Sequence, residues 1–244
     1  MFKANENNVK FDTLSFLIFL AWVLLGASLL SYPLLLIGPM ITNLSFEEYK
    51  ETVFMSHTYI PACIAGIIGI VAYCILYRKS ILKDGFNFKN KWWKYIILIL
   101  ASAAILYYLN VFFEFIYPLL GVPKDETSQN QQAIIDALNG STKIFVIIYT
   151  VIVAPIIEEI VFRKLFYNVL KRYTKLPVWA IVLIISFVFA FIHVSDLASI
   201  KFLPQYFVLA FVITSVYVIT KENIFASISL HGINNLIAVL QILL

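Results

Sequence analysis

Pro155-Ile156-Ile157-Glu158-Glu159-Ile160-Val161-Phe162-Arg163 closes an apolar run that begins at Ile144. Two adjacent carboxylates stand where a membrane span ordinarily carries leucine. An ionisable group at bilayer depth costs on the order of a few kcal/mol or more, so it persists mainly where it faces a protein interior or a water-filled pocket. On a helix, i,i+4 spacing sets Arg163 on the face of Glu159, one turn further on. Glu158 points about 100° away, at about 3.6 residues per turn, and has no cation at that spacing. One carboxylate is therefore held by an arginine while the other is left free. Pro155 offers no N–H to the Val151 carbonyl, so a kink or a bound water is expected there. The stretch reads as a polar site built into a membrane helix.

Composition agrees with that setting. Of 244 residues, 61% are hydrophobic and 13% charged, and the mean hydropathy is +0.90. Soluble domains carry roughly 25% charged residues, so an all-α polytopic membrane bundle is expected. The net charge of +4 gathers in loops beside apolar segments and calls for no nucleic acid. Cys63 and Cys74 fall in one predicted helix, too far apart at about 1.5 Å per residue to bridge, and read as small core hydrophobes.

Along the chain, residues 1–12 form a short polar leader. Leu14 to Ile41 is apolar throughout and too long for a signal peptide, so it reads as a retained first span, tilted or broken near Pro33 and Pro39. Tyr59 to Tyr77 is the second span, with Ala62/Gly66 and Ala65/Gly69 as small pairs that allow close helix packing. A basic loop follows over 78–94, ending in the interfacial anchor Trp92-Trp93-Lys94. Tyr95 to Tyr117 is the third span. Ser128 to Leu138 reads as a short surface helix stopped by Gly140. The fourth span runs from Ile144 through the two glutamates. Leu176 to His193, Phe202 to Ile219 and Ile224 to Leu244 complete seven spans, or eight if the first segment is broken. The basic stretches 78–94, 163–175 and 221 fall on one side of this count, opposite an acidic 43–57 loop. The positive-inside rule then puts them and the N-terminus in the cytoplasm of a cell-membrane protein.

Two of the three histidines, His193 and His231, lie in apolar segments, while His57 sits in the acidic loop and reads as incidental. A lone membrane histidine is most often packed against a backbone carbonyl; two of them beside a diacid suggest more. Asn235 follows His231 by four residues and points the same way. Phe189 stands four before His193 and packs beneath it. In an antiparallel hairpin, Glu158 and His193 reach similar depths. His231 joins them if the basic 163–175 hairpin projects into the cytosol.

Glu158-Glu159-x-x-x-Arg163, Phe189-x-x-x-His193 and His231-x-x-x-Asn235 together resemble the three-motif signature of the CAAX prenyl endopeptidase and bacteriocin-processing family, also called CPBP or Abi. The resemblance covers about residues 144–240. It divides one integrated membrane domain into N-terminal helices and loops, 1–143, and a catalytic helical core, 144–244. It implies an intramembrane endopeptidase acting on a membrane-associated peptide or protein. Glu158 resembles the base that activates water, assisted by His193. His231 and Asn235 resemble the groups that hold the oxyanion, and Glu159 with Arg163 the supporting ion pair. Peptide hydrolysis needs such a base and such donors.

No cofactor is expected. Two histidines and a glutamate are also the ligand set of a catalytic zinc, in which case Glu158, His193 and His231 are the ligands. No H-E-x-x-H is present, however, and the three would come from separate helices, so metal-free water activation is the preferred expectation. Two other classes fit the same residues: an immunity or binding protein that keeps this architecture without hydrolysis, and a proton-coupled carrier. The carrier lacks paired discontinuous halves.

Overall fold

The computed structural model describes residues 6–54, 57–194 and 196–244. Its helices are α1 (Glu6–Thr42), α2 (Phe46–Tyr49), α3 (Tyr59–Leu76), α4 (Arg78–Leu119), α5 (Gln129–Leu138), α6 (Lys143–Tyr173), α7 (Val178–Ile192), α8 (Leu203–Ile219) and α9 (Ile224–Leu243). Among the described residues there is no strand. All of α3, α4, α6 and α9, α1 from Asp12 onward, and α8 together with the 3₁₀ turn before it (Ala198–Ile219) are long and apolar enough to cross a membrane, six in all among the described residues. The chain is thus a multi-pass integral membrane protein of helical-bundle architecture.

Three features differ from the sequence reading. The first segment is not broken: α1 runs continuously through Pro33 and Pro39, so it adds no eighth span. The basic stretch 78–94 is not a loop. It is the first part of α4, which departs from helical dihedrals only at Lys91 (φ −126°, ψ 16°). The segment read as a fifth span is the 15-residue α7. At about 1.5 Å per residue it falls short of the roughly 30 Å hydrocarbon core. His193 is its C-terminal cap.

In lipid, helices gain little from burying apolar area against one another, so close packing of small residues and internal polar bonds hold the bundle together. Gly66 and Gly69 on α3 show how. A Cβ at Gly66 would lie 2.2 Å from Val153 Cγ1, and one at Gly69 would lie 2.9 Å from Ile157 Cδ1. The small pairs of the second span thus seat α3 directly against the helix that carries the glutamates. Trp22 Nε1 of α1 donates to the Ala65 carbonyl at 2.8 Å, bringing α1 onto the same pair. One cluster of buried side chains, including Phe19, Tyr73, Ile157, Phe162, Phe189 and Tyr217, joins α1, α3, α6, α7 and α8. A second joins α4 to α8 and α9 through Tyr95, Ile99, Ile213 and Leu230. Outward faces remain apolar, as at Leu25, Leu29, Ile97, Leu100 and Phe187.

The helix α6 is wound irregularly around its centre. Tyr149–Val153 and Ile160–Phe166 are π-helical, and the α-helical turns Ala154–Glu159 lie between them. Pro155 explains the first irregularity, because it leaves upstream carbonyls without a backbone donor.

Candidate active site

The four-residue spacing of Glu159 and Arg163 produces an ion pair in the protein interior. Arg163 Nη1 donates to Glu159 Oε1 at 2.8 Å, with both side chains fully buried. The guanidinium also donates from Nη2 to the Ala210 carbonyl at 3.3 Å and lies over the Phe189 ring. Glu159 is thereby committed. Glu158, one residue earlier, turns away from the pair and keeps 18% of its side-chain surface accessible. One carboxylate is structural and buried; its neighbour is reachable.

His193, His231 and Glu158 converge. His193 Nε2 is 3.9 Å from Glu158 Oε2, and His231 Nε2 is 3.8 Å from the same oxygen. The other ring nitrogens are held from behind. His193 Nδ1 lies 2.8 Å from the Phe189 carbonyl, and His231 Nδ1 lies 2.9 Å from Glu159 Oε1. A carbonyl or an arginine-paired carboxylate only accepts, so each Nδ1 carries the hydrogen. In the neutral rings both Nε2 atoms are therefore acceptors, and both face a carboxylate oxygen. Three acceptors aimed at one point suit a ligand rich in protons, such as water. Separations of 3.8–3.9 Å are too long for direct bonds and fit bridging through such a molecule. His231 can donate from Nε2 only when it carries both protons.

Asn235 does not join this convergence directly. Its Nδ2 donates to the Thr150 carbonyl at 2.9 Å, across from α9 to the first π-helical stretch of α6. One turn back on α9, Gly232 lies so close that an added Cβ would be 3.0 Å from the Val151 carbonyl. In α winding Pro155 cannot satisfy the carbonyl four residues before it, and in π winding the one five before. Those carbonyls are Val151 and Thr150. The break expected at Pro155 is thus met by α9: a glycine allows the approach, and an asparagine supplies the missing donor. The second amide hydrogen of Asn235 is not used in this bond.

Two further residues shape the site. Phe189 stacks on His193 with centroids 4.2 Å apart, as the four-residue spacing suggests. Tyr206, thirteen residues after His193, lies against the same imidazole at 5.2 Å. Its hydroxyl is bonded to Ser128 Oγ at 2.6 Å, and Ser128 caps the N-terminus of α5. No spacing rule points to Tyr206, because a 3₁₀ turn and a loop intervene. The surface helix read from Ser128 to Leu138 is thereby tied to the histidine.

The donor types match a catalytic zinc, and histidines backed at Nδ1 are what metal-binding histidines show. The placement does not match: among the described residues no three His, Cys, Asp or Glu side chains are set to hold one ion.

The fold and site together define a multi-pass membrane protein with a carboxylate–histidine centre inside its helical bundle. Residues 140–237 match the model of the family described as type II CAAX prenyl endopeptidase Rce1-like, which is where the three motifs lie. The chain is also 33% identical over 125 residues to "Putative membrane peptidase YdiL" of Bacillus subtilis (strain 168), covering 51% of this chain and 47% of that protein. It thus spans about half the length of the curated relative it matches. No solved structure matches the chain.

Proposed function

We propose that this chain is an intramembrane endopeptidase that hydrolyses a peptide bond of a membrane-associated peptide or protein, using water activated by Glu158 without a metal. The observation that carries the reading is the approach of two imidazole Nε2 atoms to a single accessible carboxylate oxygen, at 3.9 and 3.8 Å. The family match over residues 140–237 supports the same class of chemistry.

In this reading Glu158 takes a proton from water as the water oxygen attacks the scissile carbonyl carbon. His193, with Nε2 as its acceptor, orients that water. Negative charge then develops on the carbonyl oxygen. His231, carrying both protons, donates Nε2–H to it while Glu159 stabilises the imidazolium from behind; the free amide hydrogen of Asn235 is the second donor. Such donors act mainly on the transition state, where the charge is largest. When the intermediate collapses, the C–N bond breaks and Glu158 returns its proton to the leaving amine. One water is consumed, and one carboxyl and one amine terminus are formed. In the membrane, the basic stretches and the N-terminus face the cytoplasm on this reading.

The test compares membrane peptides in cells carrying the wild-type chain and Glu158→Gln. A peptide shortened only in the presence of wild type supports hydrolysis. Identical peptide profiles at equal protein levels would favour a non-catalytic immunity or binding role for the same architecture.

A further inference from the structure

The helical stretch 78–90, read from sequence as a loop, has two unlike faces. Its inner face is fixed to the core. Asp84 is buried, and its carboxylate pairs with Lys164, the residue after Arg163. The same carboxylate accepts the backbone N–H of Ile224 at 3.3 Å, at the first residue of α9. Asn223, which caps α9, donates Nδ2 to the Asp84 carbonyl at 2.7 Å. Phe88 packs edge-on against Phe225. This face therefore holds the start of the helix that carries His231 and Asn235.

Among the described residues the outer face has no partner within the chain. Leu82 and Phe86 are 61% and 65% exposed, and Arg78, Lys79, Lys83 and Lys89 are all exposed around them. Among the described residues none of these four cations is paired with a carboxylate. Their order around the helix is informative. At about 100° per residue from Arg78, Lys89 falls near 20°, Leu82 near 40°, Phe86 near 80°, Lys79 near 100° and Lys83 near 140°. A narrow apolar ridge is flanked on both sides by cations. That is the arrangement of a helix lying in the plane of a membrane surface, with its ridge in the acyl boundary and its cations at the headgroups. Position agrees, because Trp92, Trp93 and Lys94 follow directly, just past the change of direction at Lys91.

We infer that residues 78–90 form an in-plane surface helix whose two cationic edges bind the headgroups of anionic phospholipids, and that this contact steadies the start of α9 through Asp84. The surface commits to lipid because a soluble acidic partner would not account for the apolar ridge between the cations. Anionic headgroups and acyl chains supply both complements at once. The inference is independent of whether the chain is a peptidase.

The full chain is placed in nanodiscs of phosphatidylcholine alone, or with about one third phosphatidylglycerol, a content chosen to give a clearly anionic surface. The thermal midpoint is expected to rise with the anionic lipid, and the rise to shrink at high salt. It is expected to disappear in Arg78→Gln/Lys79→Gln/Lys83→Gln/Lys89→Gln and to persist in Lys124→Gln/Lys143→Gln. Nitroxides at positions 79, 82, 83 and 86, introduced after Cys63→Ala and Cys74→Ala, give a reading that needs no stability change. Positions 82 and 86 are expected to relax with oxygen, and positions 79 and 83 with an aqueous nickel chelate. A midpoint indifferent to phosphatidylglycerol overturns the lipid site. Nickel-dominated relaxation at 82 and 86 also overturns it and leaves the face to a soluble protein.

Discussion

His231 Nδ1 lies 2.9 Å from Glu159 Oε1, so the buried ion pair of α6 reaches into the candidate site through this ring. Glu159 thus does two things: it balances Arg163 and fixes which nitrogen of His231 carries hydrogen. The adjacent glutamates are coupled through one histidine, since the other ring nitrogen faces Glu158.

Glu158→Gln is expected to abolish hydrolysis while leaving the protein inserted and as stable as wild type. The amide keeps the shape of the side chain but cannot take a proton. Product formation together with the thermal midpoint of the purified protein checks this, and normal turnover by the variant removes the proposed mechanism.

Arg163→Ala leaves Glu159 charged in the interior and is expected to destabilise the protein by about 3–5 kcal/mol, as for other broken buried pairs. Replacing both partners, Glu159→Leu with Arg163→Met, is expected to restore much of the stability, because a buried pair can often be exchanged for apolar side chains. Activity is not expected to return, since His231 then lacks its Nδ1 acceptor. If the double variant is as active as wild type, Glu159 does not set the histidine.

Asn235→Ala separates the two jobs available to that side chain. Loss of the bond to the Thr150 carbonyl is expected to cost about 1–3 kcal/mol by stranding a buried acceptor. Loss of an oxyanion donor is expected to lower kcat by about 10²–10³-fold with KM nearly unchanged. A lower thermal midpoint with kcat within tenfold of wild type would assign Asn235 to helix seating alone.

Gly232→Ala is expected to lower both stability and turnover. The new Cβ would sit 3.0 Å from the Val151 carbonyl, a backbone atom that cannot rotate aside, so α9 must move off α6. Ile233→Ala, on the same helix and half-buried, serves as the comparison for a change that leaves this approach intact. Equal behaviour of the two variants would mean that the close approach is unimportant.

Exhaustive chelation of the purified protein is expected to leave activity intact. Zinc whose removal and return switch activity off and on would transfer water activation from Glu158 to a metal.

Much of this protein is fixed by local order along the chain. Hydrophobic runs long enough to cross a bilayer make an all-helical membrane bundle unavoidable, because lipid offers backbone groups no other partners. Four-residue spacing alone brings Arg163 onto Glu159 and Phe189 under His193, since both contacts lie within one helix. Contacts between helices are another matter. That both imidazoles face one oxygen of Glu158, and that His231 is held by Glu159, depends on the relative rotation and depth of α6, α7 and α9, which no spacing within a single helix encodes. The same holds for Asn235, which the family resemblance assigns to a substrate oxyanion and which the fold bonds to the Thr150 carbonyl. Tyr206 had no local signal at all. The basic stretch 78–90 reads as a loop from its charge, yet it is helical because Asp84 finds Lys164 and the start of α9, partners more than seventy residues away. Periodicity determines which face of each helix is polar; only packing in three dimensions decides what that face meets.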